Sequence, residues 1–495
     1  MTTANHSALF AEFGKVSREE WITAIERSLR GRSLDSLTKG SYEGIDYSPV
    51  ATAEDLDGLS ACLGLPGQYP YLRGTHAAGY RERPWLIAQE LDLPDPQAFN
   101  LALHDALAMG QTAVVLDAHP RMVTVGQFQT ALRGIDLGRT PLFLVGGSRA
   151  LNSYQWLGAA VSEGALARIK GCIGYDPLAA LARSGAVPSD MFERMAQHTT
   201  DVKHGSPLLG CIAVRGDVYH DAGASAVQEL AIALSTAAAY LREMTARGLD
   251  LSEVAGKMHF FLSIGENFFM EIAKLRAIKM LWSQVARAFG ADDEAQKIHL
   301  HARCASRNKS RLDPHINILR ATSEAMAAGI AGVESITVPP FDAPLGDSDR
   351  FSRRIARNLQ LILQEELHLT KLIDPAGGSW HIEKLTDQLA RAAWKTFQDI
   401  EADGGMLAAL QDGTIQAGIA AIAVRRQSDL EAGDAILVGV NAFLNPDEAS
   451  PPPPQQARPE ADVPAGAGAM TAPPLSPLRL DEAFEARRQS AGAEA

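Results

Sequence analysis

Between Gly67 and Gln89 the chain reads GQYPYLRGTHAAGYRERPWLIAQ, which gathers Arg73, Arg81 and Arg83 among Tyr69, Tyr71, Tyr80 and Trp85. A guanidinium brings permanent charge and a planar fork of donors, and an aromatic ring brings a flat apolar face. Together they suit a phosphorylated, acyl-bearing thioester. The same residues fit an ordinary extended segment clamped on a core, and a short motif without structural context does not decide between the two. Other chemistry-bearing groups are sparser. His299 and His301 share one face of a short apolar run, where two imidazoles could begin a metal site but lack a third ligand. Glu266 and Glu271 could exchange protons, yet both belong to a helix start, where acids are favoured electrostatically. Cys62, Cys172, Cys211 and Cys304 lie far apart with no C-x-x-C pairing. They indicate neither a zinc site nor a disulfide framework, and read as small buried residues in a reducing compartment.

The elements that must position these groups follow from periodicity. Ser17 to Leu29 has a capping serine and apolar Trp21, Ile22, Ile25 and Leu29 at helical spacing, so an amphipathic helix opens the chain, followed by an extended arm. Eight short β-rich runs alternate with helical stretches between Gln111 and Pro375. They begin at Thr112, Pro141, Lys170, Leu209, Met258, Lys297, Ser335 and Thr370. Eight strand and helix units over ~250 residues are the pattern of a closed (β/α)8 TIM barrel, and no G-x-G-x-x-G follows any run. The expected organisation is therefore an arm over 1–110, the barrel with C-terminal helices over 111–445, and a Pro/Ala/Gly-rich tail over 446–495. By composition that tail reads as disordered.

The 495 residues carry 46 Lys and Arg against 59 Asp and Glu, a net charge of -13. That balance excludes nucleic acid and an anionic membrane surface as partners, since either needs a basic face. The N-terminus has no basic region followed by an apolar run, and no stretch is apolar for long enough to span a bilayer, so a cytoplasmic location is expected.

The Tyr-Pro-Tyr, Arg-Gly and Tyr-Arg-Glu-Arg-Pro-Trp groups of the 67–89 segment resemble a segment of methylmalonyl-CoA mutases. So do GENFFMEIAKLRAIKMLW from Gly265, RRIARNLQLILQEE from Arg353, IDPAGG from Ile373 and GGM from Gly404. The resemblance covers roughly Ser41 to Asn441. It implies an adenosylcobalamin on the C-terminal face of the barrel, which supplies the radical chemistry, while the protein positions an acyl-CoA and keeps solvent away. It also implies substrate contacts at Arg73, Tyr80 and Arg83, with Tyr80 a vestige of a tyrosine that abuts the migrating group.

Elsewhere the pattern breaks. The family's cobalamin motif is D-x-H-x-x-G, but Asp117-Ala118-His119 is followed by Met122 where Gly is needed, and His220 to Gly223 has Asp217 one place too far away. No C-terminal cobalamin-binding domain is expected. Positions that are polar in catalytic chains read Gly174, Ser184, Val218 and Thr337-Val338-Pro339 here, and large residues alternate along the strands, so the barrel channel is expected to be packed shut. What the resemblance implies is the small, non-catalytic subunit of a heterodimeric mutase, paired with a homologous large chain that carries most of the contacts to adenosylcobalamin. The alternative is the active substrate-binding subunit of a split acyl-CoA mutase, of isobutyryl-CoA or 2-hydroxyisobutyryl-CoA type, with cobalamin on a separate chain.

Overall fold

The computed structural model describes residues 14, 16–59, 64–116, 124–346, 348–447 and 468–493. Eight parallel strands close into a barrel: β1 (Leu86–Glu90), β2 (Ala113–Val115), β3 (Leu142–Gly146), β4 (Gly171–Tyr175), β5 (Leu209–Arg215), β6 (Met258–Ile264), β7 (His299–Cys304) and β8 (Ser335–Thr337), with β8 pairing back to β1. Seven of the eight expected runs are strands. The eighth, from Thr370, is instead a short 3-10 turn over Leu369–Lys371. Its place is taken by Leu86–Glu90, so the barrel begins well before residue 111. The missed strand follows Arg83-Pro84-Trp85 directly, and its Ile87, Ala88 and Gln89 are all buried, so it lacks the one-sided alternation that marks a half-exposed strand.

Alternation within the strands builds two apolar layers. Val114, Leu142, Leu144, Ile173, Ile212, Val214, Phe260 and Leu262 face the surrounding helices and join the main core. Ala88, Ala113, Phe143, Cys172, Ala213 and Phe261 form a separate cluster inside the bore. The helices that return the chain between strands include α2 (Pro96–Ala108), α3 (Val125–Ala131), α4 (Ser148–Ala160), α5 (Met191–Gly205), α6 (Ala226–Ala246), α7 (Phe268–Phe289) and α8 (Ile316–Ala331). After β8 come α9 (Arg350–Leu361), α10 (Trp380–Ala402) and α11 (Thr414–Ala432). Of these, α7 packs between α6, α8 and α10 and buries Lys274, Arg276 and Lys279 along with its apolar residues.

The opening helix α1 (Arg18–Ser28) has the expected start, a capping box in which Ser17 and Glu20 satisfy each other's backbone N–H. None of its residues is fully buried. The arm beyond it lies on the outside of the barrel, where the Tyr42 hydroxyl donates to Asp429 at 2.8 Å and Lys384 pairs with Asp55 at 2.6 Å.

The tail departs from expectation. Residues 469–471 form an antiparallel pair with Ala186–Pro188, and α12 (Glu482–Ala493) follows. Composition alone missed the anchors, since Leu480, Asp481 and Glu485 are each at most 5% exposed. Among the described residues, no single helix is long and apolar enough to cross a membrane.

Candidate functional site

A cavity of about 1070 Å³ opens at the N-terminal mouth of the barrel, walled by the first residues of the strands, among them Leu86, Gly171, Leu209, His259 and His299. All three sequence candidates, Arg73, Tyr80 and Arg83, line it. The mouth carries charges of both signs, five Lys and Arg against six Asp and Glu. The Arg83 guanidinium donates to His76 Nε2 at 3.1 Å, which leaves Nδ1 to donate to Thr75 Oγ1 at 3.0 Å. Lys257 Nζ donates to the Leu209 carbonyl at 2.8 Å, and burial pulls its pKa down. Arg73 is half committed: its Nε pairs with Asp374 at 2.7 Å.

Tyr80 is not where a contact to a migrating group would need it. It lies below the start of β1, buried against Trp85 with ring centroids 5.2 Å apart, and its hydroxyl donates to the Val333 carbonyl at 2.8 Å. Burial pushes its pKa well above the ordinary phenol value. It is a wall of the N-terminal mouth, at the opposite end of the bore from the C-terminal face.

Above the cavity the bore is closed. Phe143 and Phe261 each meet the His301 ring, at 5.1 and 5.0 Å between centroids, and stand 6.5 Å from one another. Small neighbours make room for them: Ala88, Ala113, Cys172 and Ala213 are the other buried members of this layer. His301 is fixed by both nitrogens. Thr337 Oγ1 donates to the Ala88 carbonyl at 2.8 Å, so it accepts from His301 Nε2 at 3.0 Å, and Nδ1 is left to accept from Ser335 Oγ at 2.7 Å. Burial brings the pKa of this histidine down to about 4, so it is neutral at neutral pH. The expected packing of the channel is thus met by an aromatic layer at mid-height, and the lower half is instead an open cavity.

Below that layer the His259 and His299 rings stack at 4.6 Å, and Glu334 lies 3.1 Å from His299 Nδ1. Burial lowers His299, but Glu334 outweighs it and the net pKa is raised. At the upper end Arg303 forms a two-pronged pair with Glu90 at 2.7 and 3.0 Å, and Arg215 pairs with Asp217 at 2.7 Å. Sequence reasoning passed over both pairs; of the large strand residues it expected in the bore, Phe143, Phe261 and His301 are the ones that meet there.

The positions where the chain departs from a polar pattern are filled in by packing. A Cβ on Gly174 would meet the Ala213 side chain at 2.6 Å, so that wall is closed. The Ser184 hydroxyl is turned to the Ala180 and Ala186 carbonyls, at 2.8 Å each. Asp176 is buried and accepts from the Tyr240 hydroxyl and from the Arg215 N–H, while burial raises its pKa. Glu266 serves as a shared partner of Arg307 at 3.4 Å and Arg426 at 3.1 Å, and Glu271 pairs with Lys274 at 2.6 Å. Neither is poised to exchange a proton with a ligand in the cavity.

Among the described residues, His220 does not fit as a cobalamin ligand. His220 is 1% exposed, and burial followed by the charges of Arg307 and Lys274 pushes its pKa well below the usual value. Asp217, which would have to orient it, is spent on Arg215. The other candidate, Asp117-Ala118-His119, lies outside the described residues.

The sequence matches the family model described as methylmalonyl-CoA mutase over residues 40–464. It is 35% identical to the methylmalonyl-CoA mutase small subunit of Porphyromonas gingivalis, over 88% of this chain and 71% of that protein. The small subunit of Streptomyces virginiae is also 35% identical, over 97% of this chain and 77% of its own length. The methylmalonyl-CoA mutase of Cereibacter sphaeroides is 34% identical over 86% of this chain, which spans 64% of that relative.

Proposed function

The chain belongs to the methylmalonyl-CoA mutase family, and within it we propose that it is the small, non-catalytic subunit of a heterodimer. A homologous large chain would bind adenosylcobalamin and interconvert succinyl-CoA and methylmalonyl-CoA, and this barrel would support it. The observation that carries the reading is the Phe143, Phe261 and His301 layer. A pantetheine arm that enters at the N-terminal mouth must cross this height to bring its acyl group to the C-terminal face, where barrel enzymes place their chemistry. Opening the layer would mean displacing two buried phenyl rings. The enclosed His220 and the packed walls at Gly174 and Ser184 support the same reading, as do the names of the Porphyromonas and Streptomyces relatives.

One observation favours the second reading, a substrate-binding subunit of a split acyl-CoA mutase with cobalamin on a separate chain. The open lower half of the bore is large, and Arg73, Tyr80 and Arg83 stand around it, so the phosphorylated end of a CoA thioester could bind there.

Calorimetric titration of the purified chain with succinyl-CoA, beside activity assays with and without a co-expressed large chain, separates the two. The first reading expects no turnover by this chain supplied with adenosylcobalamin and an isolated cobalamin-binding domain, and full activity only with the large chain. Turnover without the large chain, abolished by Arg73→Ala, would overturn it.

A further inference from the structure

We propose that residues 468–493 form an intramolecular strap that fastens the loops on the C-terminal rim of the barrel into one arrangement. Connectivity places the strap on this rim. The helix Pro177–Ser184 and the strand Ala186–Pro188 lie between β4 and its return helix α5, the short helix Asp217–Asp221 lies between β5 and α6, and residues 305–315 lie between β7 and α8. All three segments therefore follow the C-terminal ends of strands, the side on which a barrel of this kind assembles its ligand site.

The strap touches each of them in turn through its backbone. Residues 469–471 pair with 186–188, and the Ala472 N–H donates to the Gly185 carbonyl at 3.0 Å. Leu475 donates to Ala182 at 2.6 Å, Leu478 to Asp221 at 2.7 Å and Leu480 to Arg307 at 3.0 Å. Backbone bonds of this kind do not depend on side-chain identity, so the strap can follow three unrelated loops.

Its far end is locked by buried charge. One oxygen of Asp481, 1% exposed, accepts from the Arg311 N–H at 2.7 Å and from Ser310 Oγ at 3.1 Å, and Glu485 accepts from the Arg311 guanidinium at 2.8 Å. Beside this lock Leu480 joins Leu312, Leu430, Leu437 and Val440 in a small apolar cluster that is separate from the main core. The strap thus docks through a small apolar cluster and a buried ion cluster that it shares with the rim, both separate from the main core, so it can be released without opening the barrel. The basic run Arg307, Lys309 and Arg311 lies in the strapped segment, and each of the three is at most 6% exposed.

Hydrogen exchange and brief trypsin digestion of the full chain test the strap. In Asp481→Ala, amides of 217–225 and 305–312 are expected to exchange about tenfold faster or more, while those of β5 and β7 keep their protection. Trypsin should then cut after Arg307, Lys309 or Arg311, sites that resist it in the parent. Leu478→Pro removes the N–H given to Asp221 without disturbing the ion cluster, so it separates release of the strap from a folding defect. It should loosen 217–225 most and 305–312 to a lesser degree, since Leu478 also packs against the small apolar cluster. Unchanged exchange of the rim loops in both variants would overturn the proposal, as would loosening of the barrel strands by Leu478→Pro to the same degree as the loops.

Discussion

Lys279 sits on α7 with 2% of its surface exposed, and its Nζ donates to the Ala331 carbonyl. Burial, reinforced by the charge of Arg276, pulls its pKa down to about 7 from the ordinary 10.5. The folded state therefore holds fewer protons than the unfolded state between those values, and stability rises with pH across that window. The contribution is full above about 10.5 and is lost as pH falls through 7. Urea unfolding between pH 7 and 10.5 should show this rise in the parent and a flatter profile in Lys279→Met; parallel profiles would refute it. In the bore, Phe261→Ala should cost about 3–5 kcal/mol because the rings around it cannot collapse into the space. The same unfolding curves measure that loss, and a cost under about 1 kcal/mol would mean that the aromatic layer is loosely packed. At this scale the sequence was a partial guide. Arg73, Tyr80 and Arg83 do come together on one cavity, but the type of Tyr80 said nothing about which end of the bore it faces. Its partner, the Val333 carbonyl, is 253 residues away along the chain.

Helix α7 shows what an element adds to its residues. GENFFMEIAKLRAIKMLW is apolar enough to be buried, yet it carries Lys274, Arg276 and Lys279, and the charges are tolerable because other elements answer them. Arg276 bonds to Asp374 and, at 2.9 Å, to Glu383 at the start of α10, while Lys274 reaches Glu229 on α6 at 2.6 Å. Replacing Arg276 with Met would leave two carboxylates buried without that partner, so a loss of about 3–5 kcal/mol is expected from chemical denaturation. A near-neutral result would mean that water reaches the site. The strands tell the complementary story. Seven were legible because their apolar runs are bounded by polar or turn residues, and the helices α6, α7 and α10 because their apolar spacing persists for twenty residues or more. The run from Thr370 also had strand-like residues, but Asp374 adopts a φ of 48° and Leu372 is 57% exposed, which no window of sequence reveals. The tail failed for a different reason. Its few anchors are spaced to meet three rim loops, so neither a period of two nor of 3.6 appears.

At the scale of the whole molecule, α1 is an element without a home: none of its residues is fully buried. Trp21, Ile22, Ile25 and Leu29 line one side of it and remain only half-buried, and Arg18 reaches Glu54 and Asp55 at no better than 3.8 Å. Contacts of that kind contribute little to the stability of the isolated chain. A variant lacking residues 1–33 should therefore melt within about 3 °C of the parent. If the chain serves as the small subunit, the same deletion should weaken its association with the large chain by about tenfold or more, since an amphipathic helix left half-exposed gains most from a partner surface. The two measurements must be read together. A large drop in melting temperature would place α1 in the fold of this chain, and equal affinity with and without it would place the subunit interface elsewhere on the barrel. A stable barrel with weakened pairing is the outcome that assigns the helix to the partner, and it would do so without any assumption about which chain performs the chemistry.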